Sequence, residues 1–122
     1  MVVSPRKKSN HVECGFLVPI RGDAALSDGS VHAPEQWEWL RAEIWSQFGG
    51  VTESPGLHVG FYQNPDTEEM VTDESRRFTV AVQEHEVDNL RDLMREACVM
   101  FCQKCIYLSI AGRVEFIERS ND

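Results

Sequence analysis

Little in this chain interrupts a globular fold. Eight glycines and five prolines among 122 residues are too few for collagen-like, Gly/Ser-linker or Pro-rich architectures. No apolar run approaches the ~20 residues that a membrane-spanning helix needs. Residues 1–11 (MVVSPRKKSNH) carry a basic cluster, but neither an apolar stretch nor a small-residue cleavage site follows it. A secretory leader is therefore not supported, and the expected compartment is the cytoplasm. Positive charge is also scarce: 12 Lys and Arg stand against 20 Asp and Glu, for a net charge of −8, and Arg6, Lys7 and Lys8 hold three of those positives. So acidic a body, with no Lys/Arg stripe interleaved with aromatics, repels phosphate backbones, which argues against nucleic acid as a partner. Cysteines number four, and Cys98, Cys102 and Cys105 crowd into eight residues. A disulfide framework would spread them over many loops, so reduced thiols are expected.

What is present is clear periodicity. Val12, Cys14, Phe16, Val18 and Ile20 alternate with their neighbours and predict a first strand over 12–20. Residues 21–33, rich in Gly, Asp and Ser, read as a loop. A helix is expected from Pro34, whose φ is preset and whose missing N–H the first turn does not need, to Gly49-Gly50, with Trp37, Leu40, Ile44, Trp45 and Phe48 as its core stripe. Trp39 falls off that stripe, as a lip over the sheet edge or a partner contact. A second strand over 52–63, bent near Pro55-Gly56, leads through an acidic turn to a third over 76–83. Val87, Leu90, Met94, Ala97, Cys98 and Phe101 stripe a second helix over 85–103, and 106–110 with 114–117 make a fourth strand and a short partner. This order predicts an α+β, ferredoxin-like βαββαβ fold: an antiparallel sheet with both helices on one face and a C-terminal β-hairpin. The expected organisation is a tail over 1–11, one domain over 12–118 and a polar tail over 119–122.

Two chemical motifs compete with plain packing. Cys98, Cys102 and Cys105 spell C-x3-C-x2-C, the spacing by which radical S-adenosylmethionine enzymes hold a [4Fe–4S] cluster. Those enzymes carry the motif near the start of a long barrel, whereas here it lies where the second helix meets the fourth strand, with only 17 residues to follow. Cys98 also belongs to the inward stripe, so core thiols are the reading and no cofactor or metal is expected. His11, His32, His58 and His85 show no ligand spacing.

The other candidate is the sheet's outer face. If the apolar strand positions face the helices, Leu17, His58, Tyr62, Thr79 and Tyr107 face away, on a surface too apolar to be simply wet and too polar for a second core. They are the candidate ligand-binding residues, and the same face suits association into a homo-oligomer. Asp66, Glu68, Glu69, Asp73 and Glu74 cluster in the expected hairpin loop, as a solvated turn or a source of a general base.

FGGVT at a helix end, DESRRFTVAV entering a strand and FCQKCIYLSIAGRVEFI after the second helix resemble a group of small uncharacterised bacterial proteins of ferredoxin-like fold. More distantly, GGVTES, TEEMVTDESRRFTVAV, Ala97-Cys98 and Gln103-Lys104-Cys105 are similar to the phage S-adenosylmethionine lyases. That resemblance implies subunits packed around shared sites, a small-molecule substrate and a catalytic acidic residue at the start of the third strand. The position maps onto Glu74, with Glu69 as the second choice.

Overall fold

The computed structural model describes residues 10–64 and 66–120. The chain runs through β1 (His11–Pro19), α1 (Pro34–Phe48), β2 (Thr52–Glu53), β3 (His58–Gln63), β4 (Met70–Gln83), α2 (Val87–Met100), β5 (Cys105–Ile110) and β6 (Arg113–Glu118). Most of the expected N-terminal tail, residues 1–9, lies outside the described residues, as do 121 and 122 at the other end; His11 already belongs to β1.

The strand order is β2-β4-β1-β5-β6, with β3 on β4 as well, and every neighbouring pair is antiparallel. This is the expected ferredoxin-like arrangement. Both helices pack on one face: Trp37, Leu40 and Ile44 of α1 and Leu90, Leu93, Met94, Ala97 and Cys98 of α2 join Cys14, Phe16, Val18, Phe78, Val80, Val82, Ile106 and Leu108 in a single core. Fully burying each of the larger side chains contributes about 1.5–3 kcal/mol.

Local chemistry sets the helix ends. The Gln36 side chain reaches back to accept the Ala33 N–H at 2.6 Å, and Gly49, at φ 85°, donates its N–H to the Trp45 carbonyl at 2.9 Å. At the end of α2 the left-handed position is held by Cys102 (φ 52°), and Gln103 folds inward beyond it. Its buried amide donates to the carbonyls of Arg21 (2.7 Å) and Phe101 (2.8 Å), tying the loop after β1 to the helix end.

Three expectations are corrected. The strand expected over 52–63 is two strands, because Gly56 takes a positive φ (76°) after Pro55 and breaks the ladder. The strand expected from Arg76 starts at Met70, so Asp73 and Glu74 of the acidic turn are strand, while Asp66, Glu68 and Glu69 precede it; pairing with β3 outweighs the low strand preference of Asp73 and Glu74. Trp45, expected in the core, is 68% exposed, whereas Trp39 packs on Phe101 at 6.5 Å. The buried arc of α1 extends toward the end of α2, where Phe101 lies, and Trp45 stands on the opposite flank.

Candidate functional site

The five residues expected on the outer face do share it, because cross-strand partners point to the same side of a sheet. Leu17 pairs with both Arg77 and Tyr107, and Tyr107 with Phe116, in one row. Thr79, Gly15, Ser109 and Val114 form the next. In the opposite direction come His58, Ser75 and Pro19, then Gly60 with Asp73, then Tyr62 with Val71. Tyr62 and Thr79 are thus eight positions apart along β4, about 26 Å at ~3.3 Å per residue, too far to hold one small ligand together. Thr79 stands apart, Leu17 and Tyr107 flank the middle, and His58 and Tyr62 lie toward one end, with Gly60 and Asp73 between them.

That end gathers groups whose ionisation is perturbed. Burial raises the Asp73 carboxyl above its usual range. Burial also raises Tyr62, reinforced by the negative fields of Asp73, Asp23 and Cys105. Cys105, on the same side of β5 as Tyr107, is raised by burial and then by Glu118 and Asp23. Asp73 has room there because its partner is a glycine: a Cβ at Gly60 would stand 2.8 Å from Asp73 Oδ1. The Nε2 atom of His58 is buried and finds no hydrogen-bond partner among the described residues. Aromatic surface, a partly desolvated carboxylate and two further acids make a locus that attracts a cation with an apolar body. A concavity of about 330 Å³ at the hairpin end of β3 and β4, lined by Phe61, Tyr62, Gln63, Glu68 and Met70, shares only Tyr62 with this locus.

Glu74 and Glu69 lie elsewhere. Glu74 is exposed and pairs with Val59, so its side chain is on the helix side of the sheet, while its carbonyl accepts the Ile20 N–H at 2.9 Å. Glu69 is exposed at the hairpin tip, its N–H on Thr67 Oγ1 at 3.3 Å. Asp73 is the residue that sequence reasoning left in a loop. The available signal was Gly60, a glycine within a strand, which marks a close approach from across the ladder.

On the helix side a second cavity of about 360 Å³ opens between the start of α1 and Leu57. Trp37 forms its floor, with the Arg76 guanidinium 4.5 Å over the ring. Arg76 and Arg41 share the single carboxylate of Glu53, at 3.2 and 3.1 Å. His32, also in this wall, is 8% exposed and packs edge-on against Phe101 and Trp37. Burial lowers its pKa, so it is a neutral core histidine.

The cysteines are dispersed. Cys98 donates its thiol to the Ile117 carbonyl at 3.3 Å, and burial pushes its pKa up to about 11, so it stays protonated. Cys102 sits at the helix end and Cys105 faces out from β5. Among the described residues, no three His, Cys, Asp or Glu side chains are grouped to hold a metal ion, and no helix is long and apolar enough to cross a membrane.

No family model matches the chain, and no curated protein does. Among solved structures, the chain is similar to a phage SAM lyase in complex with S-methyl-5′-thioadenosine, with a TM-score of 0.70 and 14% identity over 99% of each chain. It is also similar to a phage SAM lyase in the apo state, with a TM-score of 0.59 and 12% identity over 94% of this chain and 91% of the other. At such identities the likeness establishes a shared fold across essentially the whole chain, in keeping with the distant resemblance read from the sequence.

Proposed function

We propose that this protein is a homo-oligomeric lyase that cleaves S-adenosylmethionine to S-methyl-5′-thioadenosine, with the cationic substrate held at Asp73, beside Tyr62. The observation that carries this reading is the half-buried Asp73 carboxylate beside Tyr62, on an open aromatic face with Asp23 near it. The end-to-end fold likeness to a lyase bound to that product supports it.

The chemistry suits a site without a nucleophile–base pair. The bond to break joins the sulfonium sulfur to the γ-carbon of the methionine tail, and the leaving group is a neutral thioether. The substrate's own carboxylate closes on that carbon, so one C–O bond forms as one C–S bond breaks, giving a lactone and S-methyl-5′-thioadenosine with no water consumed. Opposite charges vanish in this step, so partly desolvated apolar surface such as the Tyr62 ring favours the transition state over a hydrated ground state. A carboxylate against the sulfonium would instead stabilise the substrate. Asp73 is therefore assigned to the α-ammonium group, whose charge does not change, so its binding energy folds the tail for attack.

Incubation with S-adenosylmethionine followed by chromatography tests the proposal. The expected result is S-methyl-5′-thioadenosine and homoserine lactone in equal amounts, with homoserine only as a later product of lactone hydrolysis. Absence of S-methyl-5′-thioadenosine above the uncatalysed background retires the reading.

A further inference from the structure

The hydrogen bonds around His32 leave its ring one protonation state. The side chain is buried against Trp37 and Phe101, and its Nδ1 lies 3.3 Å from Gln36 Nε2. Two bonds fix the orientation of that amide: Nε2 donates to the Met100 carbonyl at 2.9 Å, and Oε1 accepts the Ala33 N–H at 2.6 Å. An amide nitrogen has only hydrogens to offer, so Nδ1 accepts and the single ring proton sits on Nε2. Nε2 is buried and finds no hydrogen-bond partner among the described residues. A second proton would set N–H against N–H at Nδ1 and leave a cation in an apolar wall. The charged groups nearby do not take it up. Glu53 of β2 is held by Arg41 of α1 and Arg76 of β4, and Glu38 and Glu74 are exposed. On its own loop, Asp23 and Asp28 accept the Ala25 and Ser30 N–H groups and Arg21 is exposed, while the end of α2 meets the ring with Phe101.

We propose that His32 and Gln36 form an acid-released latch, which holds the second arm of the loop over 20–33 against both helices while the ring is neutral and frees it on protonation. The first arm is fixed independently, by Gln103 Nε2 on the Arg21 carbonyl and the Asp23 N–H on the Cys102 carbonyl at 2.8 Å. The second arm joins the first through the Arg21–Val31 bridge and the His32 N–H on the Ile20 carbonyl at 3.0 Å. It reaches the helices through the ring and Gln36. A charged ring has an exit, because the cavity of about 360 Å³ that it walls opens to water beside Glu38. Burial lowers the pKa of the latched ring more than the Pro19 carbonyl raises it, so the released arm binds the proton more tightly. The latch is therefore intact above ~6.5, the ordinary histidine value, and its opening grows as the pH falls below it.

The latch is independent of the lyase reading and its test needs no substrate. Nitrogen NMR of the imidazole in the full chain near pH 8 is expected to show the Nε2–H tautomer at His32. Amide hydrogen exchange, corrected for the intrinsic rate, is expected to show protection at His32 and Ala33 falling up to about tenfold per pH unit below ~6.5, one proton being taken up per opening. Leu40 and Ile44, in the middle of α1, keep theirs. His32→Phe, which fills similar space and cannot titrate, is expected to lose this pH dependence. Gln36→Glu sets an acceptor opposite Nδ1, so His32 is expected to titrate at higher pH and the arm to stay protected in acid. An Nδ1–H tautomer, a His32 titration unmoved by Gln36→Glu, or the same loss of protection in His32→Phe as in wild type overturns the latch.

Discussion

Asp73→Asn is expected to lower kcat/KM for S-adenosylmethionine ten- to a hundredfold, and Glu74→Gln by much less. A hydrogen bond to a charged group is worth about 1.5–3 kcal/mol, and each 1.4 kcal/mol is a factor of ten. The amide keeps the shape of the carboxylate and removes its charge, so the change reports attraction for a cation. The two residues are adjacent on β4 and face opposite sides of the sheet, so the pair acts as a compass for the site. The pH profile gives the sign. Burial raises the Asp73 carboxyl, and only its ionised form holds an ammonium group, so kcat/KM rises with pH through a value above the ordinary carboxylate range. In Asp73→Asn that limb is absent. If Glu74→Gln proves the damaging change, the chemistry belongs to the helix side of the sheet.

The largest expected loss of stability comes from Trp37→Ala, at about 3–5 kcal/mol. The indole is buried among Phe78 (6.3 Å), Phe101 (4.8 Å) and His32 (5.7 Å), with the Arg76 guanidinium over its ring. Truncation opens a cavity at the centre of this cluster and strips Arg76 of its aromatic support. Total stabilities of small domains are about 5–15 kcal/mol, so urea denaturation should find the variant near its limit. Trp45→Ala, on the exposed flank of the same helix, should stay within about 0.5 kcal/mol of wild type.

That contrast shows where the sequence was legible. Pro34 and Gly49 punctuate α1, and strict alternation marks β1, so both elements could be read within a residue or so. Trp37 and Trp45 both fit an apolar stripe on paper; only the position of α2 beside α1 decides which flank is buried. The first half of β4 was invisible because Thr72, Asp73 and Glu74 look like a turn, and their strand is imposed by pairing with β3. Reading the outer face needed only a period of two. Grouping its residues along the strands needed the register, which separates Thr79 from Tyr62 and brings in Asp73.

The most direct test of the account is a titration with S-methyl-5′-thioadenosine followed by amide chemical shifts. The outer-face site predicts that the largest shifts gather at His58, Tyr62, Asp73 and Ser75, spread to Leu17, Cys105 and Tyr107, and leave Thr79 and Val114 still. Shifts centred on Glu74, Leu57 and the start of α1 would contradict it.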